Sequence, residues 1–564
     1  MAQDQVGAQP IRSTMAKATS AATAATGGVL VTLMGAQFLM TLDSSVMNVS
    51  MATVANDLGT TITGIQTAIT LYTLVMASLM ITGGKIGSII GRRKAFSVGC
   101  VIYGTGSLVT GLAPTLPVML VGWSLLEGIG AALIMPAVVA LVAGNFGVGD
   151  RPRAYGLIAA AGAIAVAVGP LVGGVATTYA SWRVVFFSEV VLVAVVLLLS
   201  RRMADVPVGS RVRLDVVGTV LSVVGLGSFV FGVLRSSEWG WITPKADGPA
   251  LLGISATFWL MAGGLIVVWL FIGWQRRLAT LGREPLVQLS MFANRQLTGG
   301  LVMFGFQFML QAGVFFVIPL FLSVVLELPA IDTGIRLMPL SLALLVSAAG
   351  VPKVWPHASP RLITRLGMGL LLAGIVTLMS GIDLDASAAV VTIPMLLLGL
   401  GIGSLASQLG SVTVSSVPAA QTGEVGGLQN TATNLGASLG TALAGSVLIA
   451  VLTTSIIGGI STNDQVPDEV AAQATTDMAA GVPFLSDTAL AQGLDEAGVD
   501  DVVAAEVVDE NRAARIAGLD AALGVLALIA LVSLPFTGRI PNTQPVGDRS
   551  GDADSVDSAH TTGP

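Results

Sequence analysis

Apolar runs of about twenty residues recur fourteen times along this chain of 564 residues. A helix of that length crosses the hydrocarbon core of a bilayer, and lipid forces the backbone to satisfy its own hydrogen bonds. Only 11% of the residues are charged, against about 25% in soluble proteins. The sequence therefore predicts an all-α polytopic membrane protein embedded in the lipid bilayer. The predicted spans lie at about 28–49, 66–84, 95–113, 118–143, 154–177, 184–200, 215–234, 251–273, 298–325, 334–351, 362–381, 388–410, 424–452 and 516–537.

The basic residues predict the direction of the spans. With the N-terminus in the cytoplasm, 21 of the 27 Lys and Arg residues fall on the cytoplasmic side, as the positive-inside rule requires. The remaining six are Arg183, Arg235, Lys245, Arg336, Arg512 and Arg515. We therefore expect a multi-pass protein of the plasma membrane with both termini in the cytoplasm.

Three segments outside the spans are predicted to be soluble. Residues 1–27 form a cytoplasmic tail, and residues 538–564 form a disordered cytoplasmic tail. Residues 453–515 form an outward loop with twelve acidic residues. This loop is either a solvated acidic cap or an electrostatic gate that concentrates cations near the exit.

Composition also limits the activities that this chain can have. A formal net charge of −6 speaks against a nucleic-acid partner. The single Cys100 allows no internal disulfide, and two scattered histidines predict no metal site. No Gly-rich loop ends in Gly-Lys-Ser or Gly-Lys-Thr, so no ATP motor is evident. No nucleophile–base spacing indicates an enzyme.

The fifth span combines small residues with a proline. Gly permits close approach of a neighbouring helix, and Pro sets a bend. This spacing resembles the antiporter motif in the fifth helix of exporters of the major facilitator superfamily. The residues that carry it are Gly156, Gly169, Pro170, Gly173 and Gly174.

Further motifs resemble the fourteen-helix drug:proton antiporter branch of that superfamily. Residues 42–49, Leu-Asp-Ser-Ser-Val-Met-Asn-Val, are similar to its first-helix signature. Residues 84–94 resemble its loop motif between helices two and three, with Gly84, Gly91, Arg92 and Arg93 as the conformational positions. Shorter similarities lie at 181–187, 214–218, 236–241, 284–286 and 318–320.

The resemblance implies a major facilitator fold with 14 transmembrane helices. Residues 28–200 and 297–537 would each form a six-helix bundle of inverted repeats, and 201–296 would hold the inserted hairpin of helices 7 and 8 with its cytoplasmic loops. A small amphiphilic substrate would bind between the bundles and be exposed to each side in turn. The proton gradient would drive export, without a cofactor or metal, in a monomer.

Four positions depart from the family pattern. Ser88 stands where the loop motif carries Asp, so the latch of the family lacks its acidic partner. In the fourth helix Ser124 replaces an Arg, and Glu127 replaces a Gln before Gly. In the sixth helix Glu189 stands in place of an Asn. The chain has thus lost an intramembrane cation and gained two carboxylates.

Two acids inside the spans are predicted to couple export to protons. An acid at the depth of Asp43 costs about 2.5–3.5 kcal/mol, so burial favours reversible protonation. Met40 and Met47 share its helix face and offer a soft apolar surface for substrate. Glu127 follows Trp123 by four residues, and such a pair can hold a lipophilic cation.

Asp43 and Glu127 also have a structural interpretation, and so do three further acids. Asp43 would then be capped by a neighbouring hydroxyl, and Glu127 would be a polar helix-packing contact. Glu189 and Asp215 lie near span ends, where an interface position is expected, and Glu424 would be a first-turn acid favoured by the helix dipole.

Two stripes are predicted to line a substrate cavity, because polar atoms that face lipid are costly. Helix packing alone also explains either stripe. The stripe on helix nine is Phe304, Gln307, Phe308, Gln311 and Phe315; that on helix thirteen is Asn430, Asn434, Ser438 and Thr441.

The function that follows is proton-coupled export of lipophilic compounds, including cations. One alternative is a dedicated exporter of an endogenous metabolite or lipid, favoured by an apolar cavity that needs no Glu127. The other is a membrane receptor or scaffold that transports nothing, against which the intramembrane acids and the Gly-Pro motif argue.

Overall fold

The computed structural model describes residues 8–60, 62–205, 214–245, 248–384, 386–418, 421–462 and 484–544. Side chains are described within these ranges except at 8–26, 48–49, 51–52, 62–63, 66, 167, 170, 178, 237 and 330–331. Much of the predicted outward loop and most of the C-terminal tail lie outside the described residues, and so do the side chains of Asn48 and Pro170.

Long helices account for most of the described chain. The helices of its first half are α1 (Ala8–Asp57), α2 (Ile62–Ile90), α3 (Arg92–Gly111), α4 (Leu116–Asn145, π-helical over Leu120–Glu127), α5 (Arg151–Tyr179), α6 (Arg183–Ser200), α7 (Val216–Trp239) and α8 (Ala256–Thr280). Those of its second half are α9 (Arg295–Val325, π-helical over Phe321–Val325), α10 (Ala330–Val354), α11 (Pro360–Met379), α12 (Thr392–Val414), α13 (Thr422–Thr462), α14 (Asp487–Glu496) and α15 (Asp501–Ser533).

Short elements join these helices. Strands β1 (Ala250–Leu251) and β2 (Ile254–Ser255) pair antiparallel between α7 and α8. Single 3₁₀ turns occupy Leu289–Ala293, Ala388–Val391 and Leu534–Arg539.

Thirteen helices of the described chain are long and apolar enough to cross a membrane. The remaining predicted span, 95–113, coincides with α3, which begins with three cationic residues and is rich in Gly, Ser and Thr. Tyr103, Ser107 and Thr110 of α3 are buried. This helix is less apolar because its small and polar side chains pack against α4 and α6.

Side-chain caps fix where several helices begin. The Asn294 side chain accepts hydrogen bonds from the backbone N–H groups of Gln296 and Leu297, which no helical carbonyl can satisfy. Asp215 caps α7 by accepting from Gly218 N at 2.9 Å. The sequence predicts Asp215 at an interface near a span end. In the structure its carboxylate also accepts hydrogen bonds from the ring N–H of Trp274 and the amide of Gln275.

The C-terminal part of α13 and the N-terminal part of α15 differ from the sequence prediction of a loop over 453–515. The helix α13 continues to Thr462, and α15 begins at Asp501. The two extensions persist because they bury apolar side chains against each other. This cluster contains Leu452, Ile456, Ile460, Val507 and Ala514.

The short helix α14 makes ion pairs with α15 and hydrogen bonds with the loop after α9. Arg512 and Arg515 of α15 both pair with Asp487. Thr488 donates its hydroxyl and its backbone N–H to Glu327 in the loop after α9. These two hydrogen bonds hold the pKa of Glu327 below its usual value.

The apolar core divides along the sequence. The largest cluster consists mainly of residues between Met303 and Ile540, together with Ala160 and Ala163 from α5. Another contains residues of α1–α6 and reaches to Val425. Helix α5 bridges the two sets, and Ser341 of α10 donates to its backbone at Ala163 O over 3.1 Å.

Candidate functional site

Three buried carboxylates from three helices meet in one place. Asp43 lies on α1, Glu127 on α4 and Glu189 on α6, and their exposed fractions are 1%, 0% and 0%. One oxygen from each lies within 4.8 Å of the other two. We call these residues the carboxylate cluster. Its third member corrects the sequence prediction that Glu189 sits at an interface near a span end.

Each acid of the carboxylate cluster accepts a hydrogen bond from a different side chain. The Trp123 ring N–H donates to both Asp43 oxygens, at 3.0 and 2.9 Å. Thr110 donates to Glu127 Oε1 at 3.4 Å, and Ser107 donates to Glu189 Oε2 at 3.2 Å. The second oxygen of each glutamate is buried and has no hydrogen-bond partner among the described residues.

The π-helical segment of α4 brings these groups together. This segment of eight residues contains Trp123, Ser124 and Glu127. Its turns are wider than those of an α-helix, and such segments occur frequently at functional sites. Ser124, which stands where the family has Arg, donates to Ala68 O on α2 at 2.8 Å. A Cβ at Gly106 would lie 2.6 Å from Glu127 Cγ, so glycine lets α3 and α4 approach at this point.

No ion pair of the described chain includes a member of the carboxylate cluster. At an effective dielectric constant of 20, two like charges within 4.8 Å repel by at least about 3 kcal/mol. Three simultaneous charges are therefore strongly disfavoured. The carboxylate cluster can therefore hold shared protons.

The Trp123 side chain is fully engaged within the protein. Its ring stacks on Tyr72 with centroids 5.4 Å apart and planes 5° apart. Its N–H group is bonded to Asp43. Met40 and Met47 are also buried, with 4% and 1% exposed. None of these three predicted substrate contacts lines the cavity described next.

A cavity of about 210 Å³ lies between α1, α4 and α5 on one side and α9, α10, α12 and α13 on the other. Of the predicted stripes it contains Phe304, Gln307, Phe308, Gln311 and Asn430, whereas Asn434 is not among its lining residues. Sequence reasoning missed several other polar and aromatic lining residues. These are Gln37, Thr41, Tyr155, Gln429 and Thr433.

A sequence signal for part of this lining was present. Gln37 and Thr41 are polar residues one helical turn apart in an otherwise apolar span, and the Gln37 amide donates to the Thr41 hydroxyl at 3.1 Å. The side-chain oxygens of Gln307, Gln311 and Gln429 are buried without a partner among the described residues. The cavity lining therefore combines amide and hydroxyl side chains with a largely apolar surface, which suits an amphiphilic ligand.

Two helices connect the cavity to the carboxylate cluster. Thr41 of α1 lines the cavity and Asp43 follows two residues later, whereas α4 contributes Met135 to the cavity and Glu127 to the cluster. Neither Asp43 nor Glu127 lines the cavity. A shift of α1 or α4 would act on both sites.

The predicted loop motif ties α2 to α13 through a buried ion pair. The Lys85 ammonium donates to Glu424 Oε1 at 2.7 Å, and the two side chains are 3% and 6% exposed. A Cβ at Gly84 would lie 2.4 Å from Gly423 O, so only glycine permits this approach. Ser88 bonds within its own helix, to Gly84 O.

The remainder of the loop motif forms the turn from α2 to α3. Gly91 has φ 97°, a conformation that L side chains rarely adopt. Asp205 accepts from the backbone N–H groups of Arg92 and Arg93, and the Arg93 guanidinium donates to Met203 O.

The glycines of the fifth helix sit against neighbouring helices at three of four predicted positions. A Cβ at Gly156 would lie 2.6 Å from Ala348 O on α10, and one at Gly169 would lie 2.2 Å from Ser45 Oγ on α1. At Gly173 the nearest atom would be Val46 Cγ1 at 3.1 Å. A Cβ at Gly174 would meet no atom of a neighbouring helix within 4 Å.

Sequence comparison places this chain among transporters. It matches the Major Facilitator Superfamily over residues 33–441. The puromycin resistance protein pur8 of Streptomyces alboniger is 30% identical over 74% of this chain and 81% of its own length. The tetracenomycin C resistance and export protein of Streptomyces glaucescens is 29% identical over 75% of each chain. The multidrug resistance protein Stp of Mycobacterium tuberculosis is 25% identical over 74% of this chain and 75% of its own length.

Solved structures share the architecture at low sequence identity. The human organic anion transporter MFSD10 aligns with a TM-score of 0.54 and 13% identity, over 92% of this chain and 98% of its own. The proton:xylose symporter XylE aligns with a TM-score of 0.54 and 12% identity, over 93% and 98%. These similarities concern the helical fold alone.

Proposed function

Because the chain belongs to the major facilitator superfamily of membrane transporters, we propose that it exports lipophilic small molecules, cations among them, in exchange for protons. The relatives of this chain include proteins named for resistance to puromycin and for the export of tetracenomycin C. Their names support the outward direction and an amphiphilic cargo.

The observation that carries the proposal is the pairing of two separate sites on shared helices. The carboxylate cluster provides groups that bind protons, and the cavity of about 210 Å³ provides aromatic and amide contacts. Because α1 and α4 belong to both sites, protonation within the carboxylate cluster would change the fit of the cavity for its ligand. Substrate would be exposed alternately to the two sides.

The finer architecture belongs to the same proposal. Counting α3 as a span gives fourteen, arranged as two six-helix bundles with α7 and α8 as the inserted hairpin. The distribution of basic residues supports cytoplasmic termini. We expect a monomer in the plasma membrane that uses the proton gradient and no cofactor.

A first prediction tests the coupling. Asp43→Asn removes the acid whose two oxygens both accept from Trp123, so transport of puromycin driven by a pH gradient in proteoliposomes should be abolished. The control is Glu496→Gln, at an exposed acid of α14, which should transport as the unmodified protein does. Normal folding of Asp43→Asn is checked by size-exclusion chromatography. Proton-driven uptake by this variant at the unmodified rate would contradict the proposal.

Two findings favour the alternative of a dedicated exporter. The first is that Glu127 does not line the largely apolar cavity; the second is the name of a relative. One relative is named for both resistance to and export of tetracenomycin C, a single compound. A panel of chemically unrelated amphiphiles separates the two functions, because a dedicated exporter would move one scaffold only.

A further inference from the structure

Glu189 joins the carboxylate cluster although no prediction gave it a role in coupling. We propose that the carboxylate cluster stores two protons, one on Glu127 and one on Glu189, while Asp43 keeps the single negative charge. The proposal rests on the proton-coupled function above and deepens it by fixing how many protons the site can deliver per cycle.

The hydrogen bonds distinguish Asp43 from the two glutamates. Both Asp43 oxygens accept from one strong donor, the Trp123 ring N–H, at 2.9 and 3.0 Å. This arrangement suits a carboxylate whose charge is shared by two oxygens. Glu127 and Glu189 each accept a longer bond from a hydroxyl, at 3.4 and 3.2 Å, and each leaves one oxygen unpartnered. That oxygen is where a proton would reside.

A buried phenol beside the acids gives independent support. Tyr103 on α3 is fully buried, and its hydroxyl has no hydrogen-bond partner in the described chain. It nevertheless lies near enough to Asp43 and Glu127 to interact with both. The Tyr103 hydroxyl is thus a spare donor, available to a carboxylate that has released its proton.

The side chains that face the carboxylate cluster do not neutralise its charge. The titratable groups facing the carboxylate cluster are those of Asp43 on α1, Tyr72 on α2, Tyr103 on α3, Glu127 on α4 and Glu189 on α6. None is cationic. Two bound protons cancel the charges of the two glutamates and leave Asp43 charged, with Ser124 in the place where the family has its Arg.

The test counts protonated carboxyl groups by infrared spectroscopy of the purified full chain at about pH 8, where exposed acids are ionised. The spectrum of each variant is subtracted from that of the unmodified protein. Glu127→Gln and Glu189→Gln should each lack one carboxylic-acid C=O band, and the double variant should lack two. Asp43→Asn should remove none. Glu424→Gln is the matched control, because Glu424 is buried but ion-paired with Lys85 at 2.7 Å, and it should also remove none.

Three results would overturn the assignment. Glu189→Gln could leave the spectrum unchanged, Asp43→Asn could remove a band, or the bands could appear only after EDTA treatment, which would mean that the cluster holds a metal ion. The count does not depend on transport. Two protons in a protein that moves no substrate would contradict the proposed function and leave the storage of protons standing.

Discussion

At the scale of single residues, the surroundings of Glu127 change what its charge can do. The sequence pairs it with Trp123 as a seat for a lipophilic cation. In the structure Glu127 is fully buried and absent from the cavity lining, and the face of Trp123 lies against Tyr72. Glu127 is therefore placed to hold a proton, whereas a bound cation in the cavity does not touch it.

A prediction on charge selectivity follows from that placement. Glu127→Gln should reduce proton-driven transport of ethidium, a permanent cation, and of N-phenylnaphthylamine, a neutral amphiphile, by the same factor, at least about tenfold for each. Vesicle uptake assays with both compounds measure this. A loss confined to the cation would restore Glu127 as the cation seat. The control Gln307→Glu adds a charge to the cavity itself and should alter the ratio between the two compounds.

At the scale of elements, the contact between α1 and α5 depends on one glycine. A Cβ at Gly169 would lie 2.2 Å from Ser45 Oγ and 2.4 Å from Ser45 Cβ. Gly169→Leu should separate the two helices, at a cost of about 1–3 kcal/mol for overpacking, and turnover should be lost while puromycin still binds. Binding to purified protein and transport in proteoliposomes are measured separately.

The same helix supplies the control for this prediction. A Cβ at Gly174 would meet no atom of a neighbouring helix within 4 Å, so Gly174→Leu should leave turnover unchanged. The clash at position 169 is with the Ser45 side chain. The double variant Gly169→Ala with Ser45→Gly should therefore transport better than Gly169→Ala alone. Unimpaired turnover in Gly169→Leu would refute the importance of this contact.

The elements also mark how far sequence reasoning reaches. Every predicted span coincides with a helix, because the length and apolarity of a run are local properties. The π-helical turn at Leu120–Glu127 has no such local signal, and it decides which way Trp123 and Glu127 point. Asp43 and Glu127 could be chosen from their depth in the spans, but the rotation of α6 about its axis is set by packing, which hid the contact of Glu189.

The predicted cavity shows the same limit. The helix-nine stripe gave four lining residues because its polar positions repeat with the helix period. Met40 and Met47 were selected from one helix face, but that face packs against other helices instead of facing the cavity. Burial between helices is a property of the assembled fold, and a single-helix pattern does not contain it.

For the whole molecule, the carboxylate cluster has no cationic side chain beside it among the described residues and would bind two protons instead. Transport would therefore move net charge across the membrane. If two protons enter for each molecule that leaves, a neutral compound moves two charges inward per cycle and a monocation moves one. Each charge gains about 2.3 kcal/mol from a potential of 100 mV, or about 50-fold in the attainable concentration ratio. Collapsing the potential with valinomycin and potassium should therefore lower the steady-state gradient of N-phenylnaphthylamine by the square of the factor for ethidium, a permanent monocation. Equal factors would contradict the count of two protons. The net charge moved per cycle would thus depend on the charge of the exported compound. Export of a dication would move no net charge and would leave the membrane potential unchanged.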